Sequence, residues 1–370
     1  MNRIPVILMG AGGVGRALIE QIVKSRETVA TRGNCRFDVV ALVDSRSWSW
    51  NAAGHDDEAL LELVAAKKEE RRRSTSRRIR SRPGAPTLGE ESPDGETVVQ
   101  RTIDEGLEGS VLVDVTASDE MAPVVDSAVQ AGYGVVLANK IPLAAPWPEA
   151  QHLFGRPQVR YEATVGGGQP VIATLRYLLD SGDCLRQAQG QLSGTLAYIM
   201  QRLDDGTRFS VALAAAHARG LTEPDPRRDL SGEDVQRKLL ILGRTVGWPL
   251  EAEDIAVESL VPSSLAHLGV QEFMLASLAM DPSLRDRVNA AGAAGEVLRY
   301  VGEVRPDGGQ VGLKALPLDA AQANLKYVSF DTERYDEQPL LVGSNSGGVQ
   351  TTAAAVLGDM IGLVREWGSW

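Results

Sequence analysis

Cysteine is nearly absent from this chain. Cys35 and Cys184 are the only two in 370 residues, far apart and without C-x-x-C spacing, so neither a disulfide framework nor a thiolate metal site is encoded. That scarcity fits a reducing compartment, and a cytoplasmic location is expected. Histidine is scarce as well: His55, His152, His217 and His267 fall in none of the motifs below and receive no catalytic role. No run reaches the ~18 apolar residues of a membrane span, and the apolar start from Pro5 to Met9 is too short for the core of a signal peptide. No membrane association is therefore expected. Positive charge is in deficit, with 38 Lys and Arg against 49 Asp and Glu for a net charge of -11. A molecule of that sign repels polyphosphate and anionic lipid, which argues against nucleic acid as a partner.

What is present is an ordinary globular composition, 43% hydrophobic and 24% charged, in a chain long enough for about two domains. Pro5 to Met9 predicts a strand, a glycine turn follows, and Ala17, Leu18, Ile19, Ile22 and Val23 then fall at helical spacing. Phe37 to Val43 predicts a second strand, ending at Asp44. The pattern lapses between Ser45 and about Asp94, apart from an acidic helix at 56–66. It resumes with helix 98–106, strand 110–115, helix 120–131 and strand 134–137, an alternation that implies a parallel sheet. Beyond the Pro-rich 144–148 segment and Val159 to Ala163, helices are expected at 170–179, 195–203, 211–219 and 233–247. Strands are expected at 185–192, 296–304, 311–316, 325–330 and 340–342, and a closing helix at 349–364.

The run from Lys67 to Arg82 holds nine basic residues against two acidic ones. It is expected to be a solvated loop, although its place after the strand ending in Asp44 could bring it near a nucleotide bound there.

Gly10-x-Gly12-x-x-Gly15 stands between a strand and a helix, the context in which this motif binds a dinucleotide. The first glycine permits the tight turn, the second a close approach of pyrophosphate, and the third helix-to-strand packing, while the free N–H groups of the helix start face the anion. Gly10, Gly12, Gly13, Val14 and Gly15 are thus expected at a cofactor. Asp44 can accept both ribose hydroxyls and favours NAD; Arg46 can pair with a 2′-phosphate and favours NADP. The choice stays open on the sequence.

Asp234 and Lys238 lie one helical turn apart on one face, so the carboxylate can orient the ammonium; the same spacing also makes an ordinary surface ion pair. Glu223, Asp225 and Asp229 share a loop stiffened by Pro224 and Pro226, and a carboxylate cluster on such a loop suits a substrate ammonium. Asp225 reads more simply as a turn or helix-cap acid. Around Gly166 to Gly168, Glu162, Val165, Gly167 and Gln169 offer one carboxylate and several carbonyl oxygens, which suit a hard cation rather than zinc, unless the turn is simply a hinge.

Glu162-Ala-Thr-Val-Gly-Gly-Gly-Gln-Pro-Val-Ile, Gly190-Gln-Leu-Ser-Gly-Thr-Leu-Ala-Tyr-Ile and the segment from Gly220 to Lys238 together resemble homoserine dehydrogenase. Ala138-Asn139-Lys140, the strand end Asp114-Val-Thr-Ala-Ser and the turn at Gly347 and Gly348 extend the likeness over nearly the whole chain, with Ser45 to Gly95 unaccounted for. The resemblance implies interconversion of L-homoserine and L-aspartate 4-semialdehyde with NAD or NADP, by a short, monofunctional homodimer without an effector-binding domain.

It also implies Lys238, Asp234 and Lys140 at the catalytic centre, with Lys140 across a cleft from the others. Glu223, Asp229, Gly194 and Thr195 would contact substrate. Thr116, Ala117, Ser118, Lys140 and Gly348 would join the glycine turn at the cofactor, and Glu162, Val165, Gly167 and Gln169 would hold a structural sodium ion. The expected fold is α/β: a Rossmann-like dinucleotide-binding domain over 1–155 with a basic insert at about 45–95, a substrate and dimerisation domain over 156–343 with an open sheet flanked by helices, and a C-terminal helix over 344–370 returning to the first domain. Another amino-acid or semialdehyde dehydrogenase, or an idle nucleotide sensor, would share the cofactor domain; the sensor has no use for Lys238 and Asp234.

Overall fold

The structure is a computed structural model that describes residues 2–73 and 92–366. In chain order the first elements are β1 (Asn2–Met9), α1 (Gly13–Gly33), β2 (Cys35–Asp44), β3 (Ser47–Trp50), α2 (Asp57–Arg73), α3 (Gly95–Asp104), β4 (Val111–Asp114), α4 (Met121–Gln130), β5 (Gly134–Leu137), α5 (Ile141–Ala144), α6 (Trp147–Ala150) and β6 (Val159–Arg160). There follow α7 (Val171–Asp180), β7 (Leu185–Gly190), α8 (Gly194–Asp204), α9 (Phe209–Ala218), α10 (Arg227–Leu230), α11 (Glu233–Val246), β8 (Ile255–Val257), α12 (Val270–Ala276) and α13 (Asp281–Ala293). The last elements are β9 (Glu296–Arg305), β10 (Gly308–Pro317), β11 (Tyr327–Thr332), β12 (Leu340–Gly343) and α14 (Val349–Glu366).

The chain divides into two compact units. One comprises Met1–Ala145, His152–Gly168 and Gly347–Trp370; the other comprises Pro146–Gln151 and Gln169–Ser346. The parting therefore falls at Gly168, not near residue 155 as the sequence suggested. The reason is β6, which pairs in parallel with β5 and so stays in the first sheet.

The first sheet runs β3-β2-β1-β4-β5-β6 and is parallel except for β3, which pairs antiparallel with β2. Ile7, Leu8, Val39, Leu112, Val113, Val135 and Val136 are all inaccessible to solvent, as expected for strands covered on both faces. Strand order reverses beside β1, and an open parallel sheet forms its ligand crevice at such a switch point. Helix α14 packs on α1, and its Ala353, Val356, Met360 and Leu363 join Leu18, Ile19 and Ile22 in one core.

The second sheet runs β12-β11-β7-β9-β10-β8, antiparallel except where β8 meets β10. Helices α8, α11 and α13 each pack against β9. Seven elements carried no clear sequence signal: β3 and β8 span four and three residues, α5, α6 and α10 span four each, and the segment holding α12 and α13 alternates neither at period two nor cleanly at 3.6.

Candidate active site

In the first unit the glycine turn leads from β1 into α1. Gly10 has φ +107°, a conformation that L side chains rarely adopt, and a Cβ on Gly15 would lie 1.9 Å from the Gly10 carbonyl oxygen. Gly12, in contrast, faces open space. The turn thus bares the N–H groups at the start of α1 to a cleft of about 1140 Å³. Gly10, Gly12, Gly13, Asp44, Arg46, Thr116, Ala117 and Ser118 all line it. Val14 instead packs its side chain on the core, which leaves only its backbone for a ligand. Gly348 immediately precedes Val349, whose side chain touches the space above Gly13. A backbone cradle at a switch point, with carboxylate and cation at the tip of β2, fits a nicotinamide dinucleotide.

The tip of β2 corrects one expectation. Lys67, taken from sequence as part of a solvated loop, is 5% exposed and lines the cleft from α2. Its Nζ lies 2.8 Å from Asp44 Oδ2 and 2.5 Å from Ser47 Oγ, while Asp44 Oδ1 accepts from the Arg46 backbone N–H at 2.9 Å. The aliphatic turns before it, Leu60, Leu63 and Val64, anchor α2 in the core and carry Lys67 inward. Lys68 points the other way, to Glu20 at 2.6 Å. Residues 74–82 of the basic run lie outside the described residues.

Across the same unit, buried Asp114 at the end of β4 accepts from the Thr116 backbone and hydroxyl at 2.9 and 2.7 Å and from Asn139 Nδ2 at 3.0 Å. Asn139 also donates to the Ser118 carbonyl at 2.8 Å, and its Oδ1 accepts from the Ile141 N–H at 3.1 Å. Burial pushes the Asp114 carboxyl above its ordinary range, and the bonds to Thr116 and Asn139 oppose that push. The network fixes the Thr116 to Ser118 loop and the backbone on either side of Lys140, which opens α5. In the sequence Asp114 and Asn139 stand out only as part of a likeness; the fold shows them as a buried acid and amide holding the Thr116 to Ser118 loop that lines the cleft.

The second unit gathers the other candidates. Lys238 lies on α11 with its Nζ 2.5 Å from Asp234 Oδ2 and 2.7 Å from the Leu192 carbonyl oxygen, and its side chain is 14% exposed. An ordinary surface pair would not bury its lysine against a backbone carbonyl. Asp229, on the short α10, accepts from the Glu223 backbone N–H at 2.8 Å through Oδ2, and its Oδ1 lies 2.8 Å from the Thr195 hydroxyl. That hydroxyl also reaches the Leu221 carbonyl at 2.6 Å. Burial raises the Asp229 pKa, and the charges of Glu223 and Asp234 add to the rise against its hydrogen bonds. Glu223, Asp229, Asp234 and Thr195 therefore share one electrostatic neighbourhood with Lys238. Ser193 caps α8 through the Leu196 N–H at 3.2 Å, setting Gly194 and Thr195 at the helix start. Asp225 is bound to the guanidinium of Arg227 at 2.7 Å, which suits a turn acid.

The glycine-rich turn carries three successive positive φ values, 84°, 62° and 100° at Gly166, Gly167 and Gly168. In the first unit Glu162 is buried, its N–H donates to Asp359 at 2.7 Å, and the Gly167 carbonyl accepts from Thr351 Oγ1 at 2.8 Å. In the second unit Gln169 Nε2 donates to the Lys326 and Ser344 carbonyls, leaving its buried Oε1 without a partner among the described residues. An orphaned oxygen acceptor is the chemistry a hard cation seeks. Among the described residues no group of three His, Cys, Asp or Glu is placed to hold a metal, so carbonyl and amide oxygens would supply most of any cation site.

A doubly wound unit with a glycine cradle, followed by a helix-flanked antiparallel unit bearing a lysine and an acid cluster, defines an α/β protein of the dinucleotide-binding class. The sequence profile of homoserine dehydrogenase matches residues 170–361, more than half of the chain, and the chain belongs to that family. A bifunctional aspartokinase/homoserine dehydrogenase 2 of the maize chloroplast is 34% identical over 380 residues, covering 99% of this chain and 39% of the relative. The chain thus spans about two fifths of that relative's length. A Candida auris protein of unknown function superposes with a TM-score of 0.82 at 27% identity, over 98% of both chains. A hyperthermophilic archaeal homoserine dehydrogenase in complex with NADPH superposes at 0.71 over 97% of both, at 22% identity.

Proposed function

We propose that this chain interconverts L-homoserine and L-aspartate 4-semialdehyde with a nicotinamide cofactor, as a step of amino-acid biosynthesis leading toward threonine and methionine. The observation that carries this reading is Lys238, held between Asp234 and the Leu192 carbonyl beside the Asp229 and Glu223 carboxylates. When bound, the cofactor supplies or accepts the hydride at the carbonyl carbon. Asp229 and Glu223 hold the substrate ammonium, and Thr195 fixes Asp229. The Lys238 ammonium stabilises the oxyanion that forms as the aldehyde is reduced and gives it a proton; in the reverse direction the amine takes that proton back. Asp234 keeps the ammonium aimed and is a positioning residue. Lys140, fixed through Asn139, completes the reading from the first unit. The test is spectrophotometric: homoserine-dependent reduction of NADP and NAD, measured in parallel.

The reading includes NADP as the preferred cofactor. Asp44 already holds Lys67 and the Arg46 N–H, so the tip of β2 offers a 2′-phosphate two cations against one acid. Lys67→Ala should lower kcat/KM for NADP by about 10–100-fold, the weight of a lost charged hydrogen bond, and improve use of NAD by freeing Asp44 for the ribose hydroxyls. Equal losses with both cofactors would remove Lys67 from this role.

A pH effect follows from Asp229. Its raised pKa means that, as pH falls, it protonates earlier than an ordinary aspartate, and the substrate ammonium then loses a counter-charge. KM for homoserine should climb on the acid side while cofactor affinity holds, and Asp229→Asn should flatten that limb. In stability the sign is opposite to the usual salt-bridged acid: the folded state binds this proton more readily than the unfolded one, so the penalty of the buried charge fades as pH falls through the folded pKa.

The sodium ion expected on Glu162, Val165, Gly167 and Gln169 stays in the reading, supported by the unpaired Gln169 Oε1. So does a homodimer through the second sheet. Gly302 faces α11, so Glu303 faces away from it, and there Glu303, Gln310, Lys314 and Gln189 form one hydrogen-bonded polar row. Two free cysteines, one of them exposed, support a reducing, cytoplasmic setting. Among the described residues no helix is long and apolar enough to cross a membrane.

A further inference from the structure

Lys326 precedes β11 in the second unit and carries a half-buried ammonium that no motif or resemblance assigned. β11 pairs antiparallel with β7, Val328 opposite Gly190, so continuing the register toward the start of β11 brings Lys326 beside Leu192. The side chain of Gln191 secures that continuation, donating to the carbonyls of Gln322 and Leu325 at 2.7 and 3.0 Å. On its other side the Lys326 carbonyl accepts from the Ser344 N–H at 3.0 Å and from Gln169 Nε2 at 3.3 Å. The chain is thus tied at Leu325 on one side and at the Lys326 carbonyl on the other, next to the residue whose carbonyl receives Lys238 Nζ.

The charges nearby do not balance at Lys326. Lys238 is matched by Asp234, whereas Lys326 has no hydrogen-bond or ion-pair partner for its ammonium among the described residues. Burial pushes its pKa down, and the positive charge of Lys238 pushes it down further. A half-buried cation held beside another cation is unfavourable until an anion reaches it.

On the reading given under Proposed function, L-homoserine brings three polar ends to this unit. Its ammonium goes to Asp229 and Glu223 and its terminal oxygen to Lys238, which leaves the α-carboxylate without an assigned cation in this unit. We propose that Lys326 is the residue that binds the substrate's α-carboxylate, and so selects an amino acid over the corresponding amino alcohol.

The test compares the wild-type protein with Lys326→Gln and Lys326→Arg. The substrates are L-homoserine and 3-aminopropan-1-ol, which is homoserine without its carboxylate; where the amino alcohol is not turned over, its inhibition constant against homoserine is read instead. Lys326→Gln should raise KM for homoserine by about 10–100-fold, the weight of a charged hydrogen bond, with little change in kcat and none in cofactor affinity. Lys326→Arg should recover most of the loss. The amino alcohol should not distinguish wild type from Lys326→Gln. Equal losses with both compounds, an unchanged KM, or a displaced pH profile of kcat at constant KM would overturn the proposal, the last by showing that Lys326 acts through Lys238. A wild-type protein that binds cofactor but leaves homoserine unoxidised overturns the parent reading and this assignment with it, a result no Lys326 variant can mimic.

Discussion

Lys238→Met should lower both kcat and kcat/KM by about 10²–10⁴-fold, the range for loss of a general acid, while the Kd of NADPH stays at the wild-type value. The reasoning is local. Methionine keeps the aliphatic stem packed in α11 but removes the only part of the side chain that reaches Asp234 and the Leu192 carbonyl. A proton donor acts only as charge develops on the substrate oxygen, so its loss is felt in the transition state. Glu223→Gln should behave differently, with its main effect on KM for homoserine, because a counter-charge to the ammonium serves ground state and transition state alike. Steady-state kinetics beside a cofactor titration separate the two. Near-normal turnover by folded Lys238→Met would pass the proton-transfer role to Lys140.

The second large effect is expected in the first unit. A Cβ at Gly15 would sit 1.9 Å from the Gly10 carbonyl oxygen, an overlap with backbone that no rotamer relieves. Gly15→Ala must push α1 away from β1, spoiling core packing and displacing the N–H groups that the glycine turn bares to the cleft. Overpacking of this kind costs about 1–3 kcal/mol, so the thermal midpoint should fall. The Kd of NADPH should rise by about 100-fold as the cradle moves. Gly12→Ala provides the control, since nothing lies within 4 Å of the space its methyl would enter. Its thermal midpoint should stay put while cofactor affinity drops, because that methyl occupies the approach path of the dinucleotide. Calorimetry and fluorescence titration read the two quantities independently.

Much of this was legible in the sequence because local rules and global fold agree there. The glycine turn, the strands flanking it and the acid at the tip of β2 follow from period and spacing alone. Asp234 and Lys238 share a face because a helix places them so, and the structure adds what spacing cannot: burial of the ammonium against Leu192. Lys67 was illegible for a physical reason. It opens a run of basic residues whose average behaviour is exposure, yet it ends a buried stripe of Leu60, Leu63 and Val64 that turns its side chain inward. Lys326 was equally hidden, since its neighbours come from the loop after β7 and from Ser344, contacts made across a sheet rather than along the chain. Gln169 was expected to lend an oxygen to a cation; that its amide nitrogen would also tie down two carbonyls, at Lys326 and Ser344, could be found only from the fold.

The packing of α14 on α1 bears on the order in which the protein can be built. The core of the first unit includes Ala353, Val356, Met360 and Leu363, residues the ribosome adds after every strand of the second sheet. Apart from the six residues Pro146–Gln151, the second unit is one unbroken stretch, Gln169–Ser346, and is complete before α14 has been translated. During synthesis the amino-terminal half must therefore wait, with Leu18 and Ile19 uncovered by their final partner, while the half made later is already able to close its own core. The cleft beside the glycine turn, though its turn precedes every strand of the second sheet, gains the final partner of its supporting helix only after that sheet has been made.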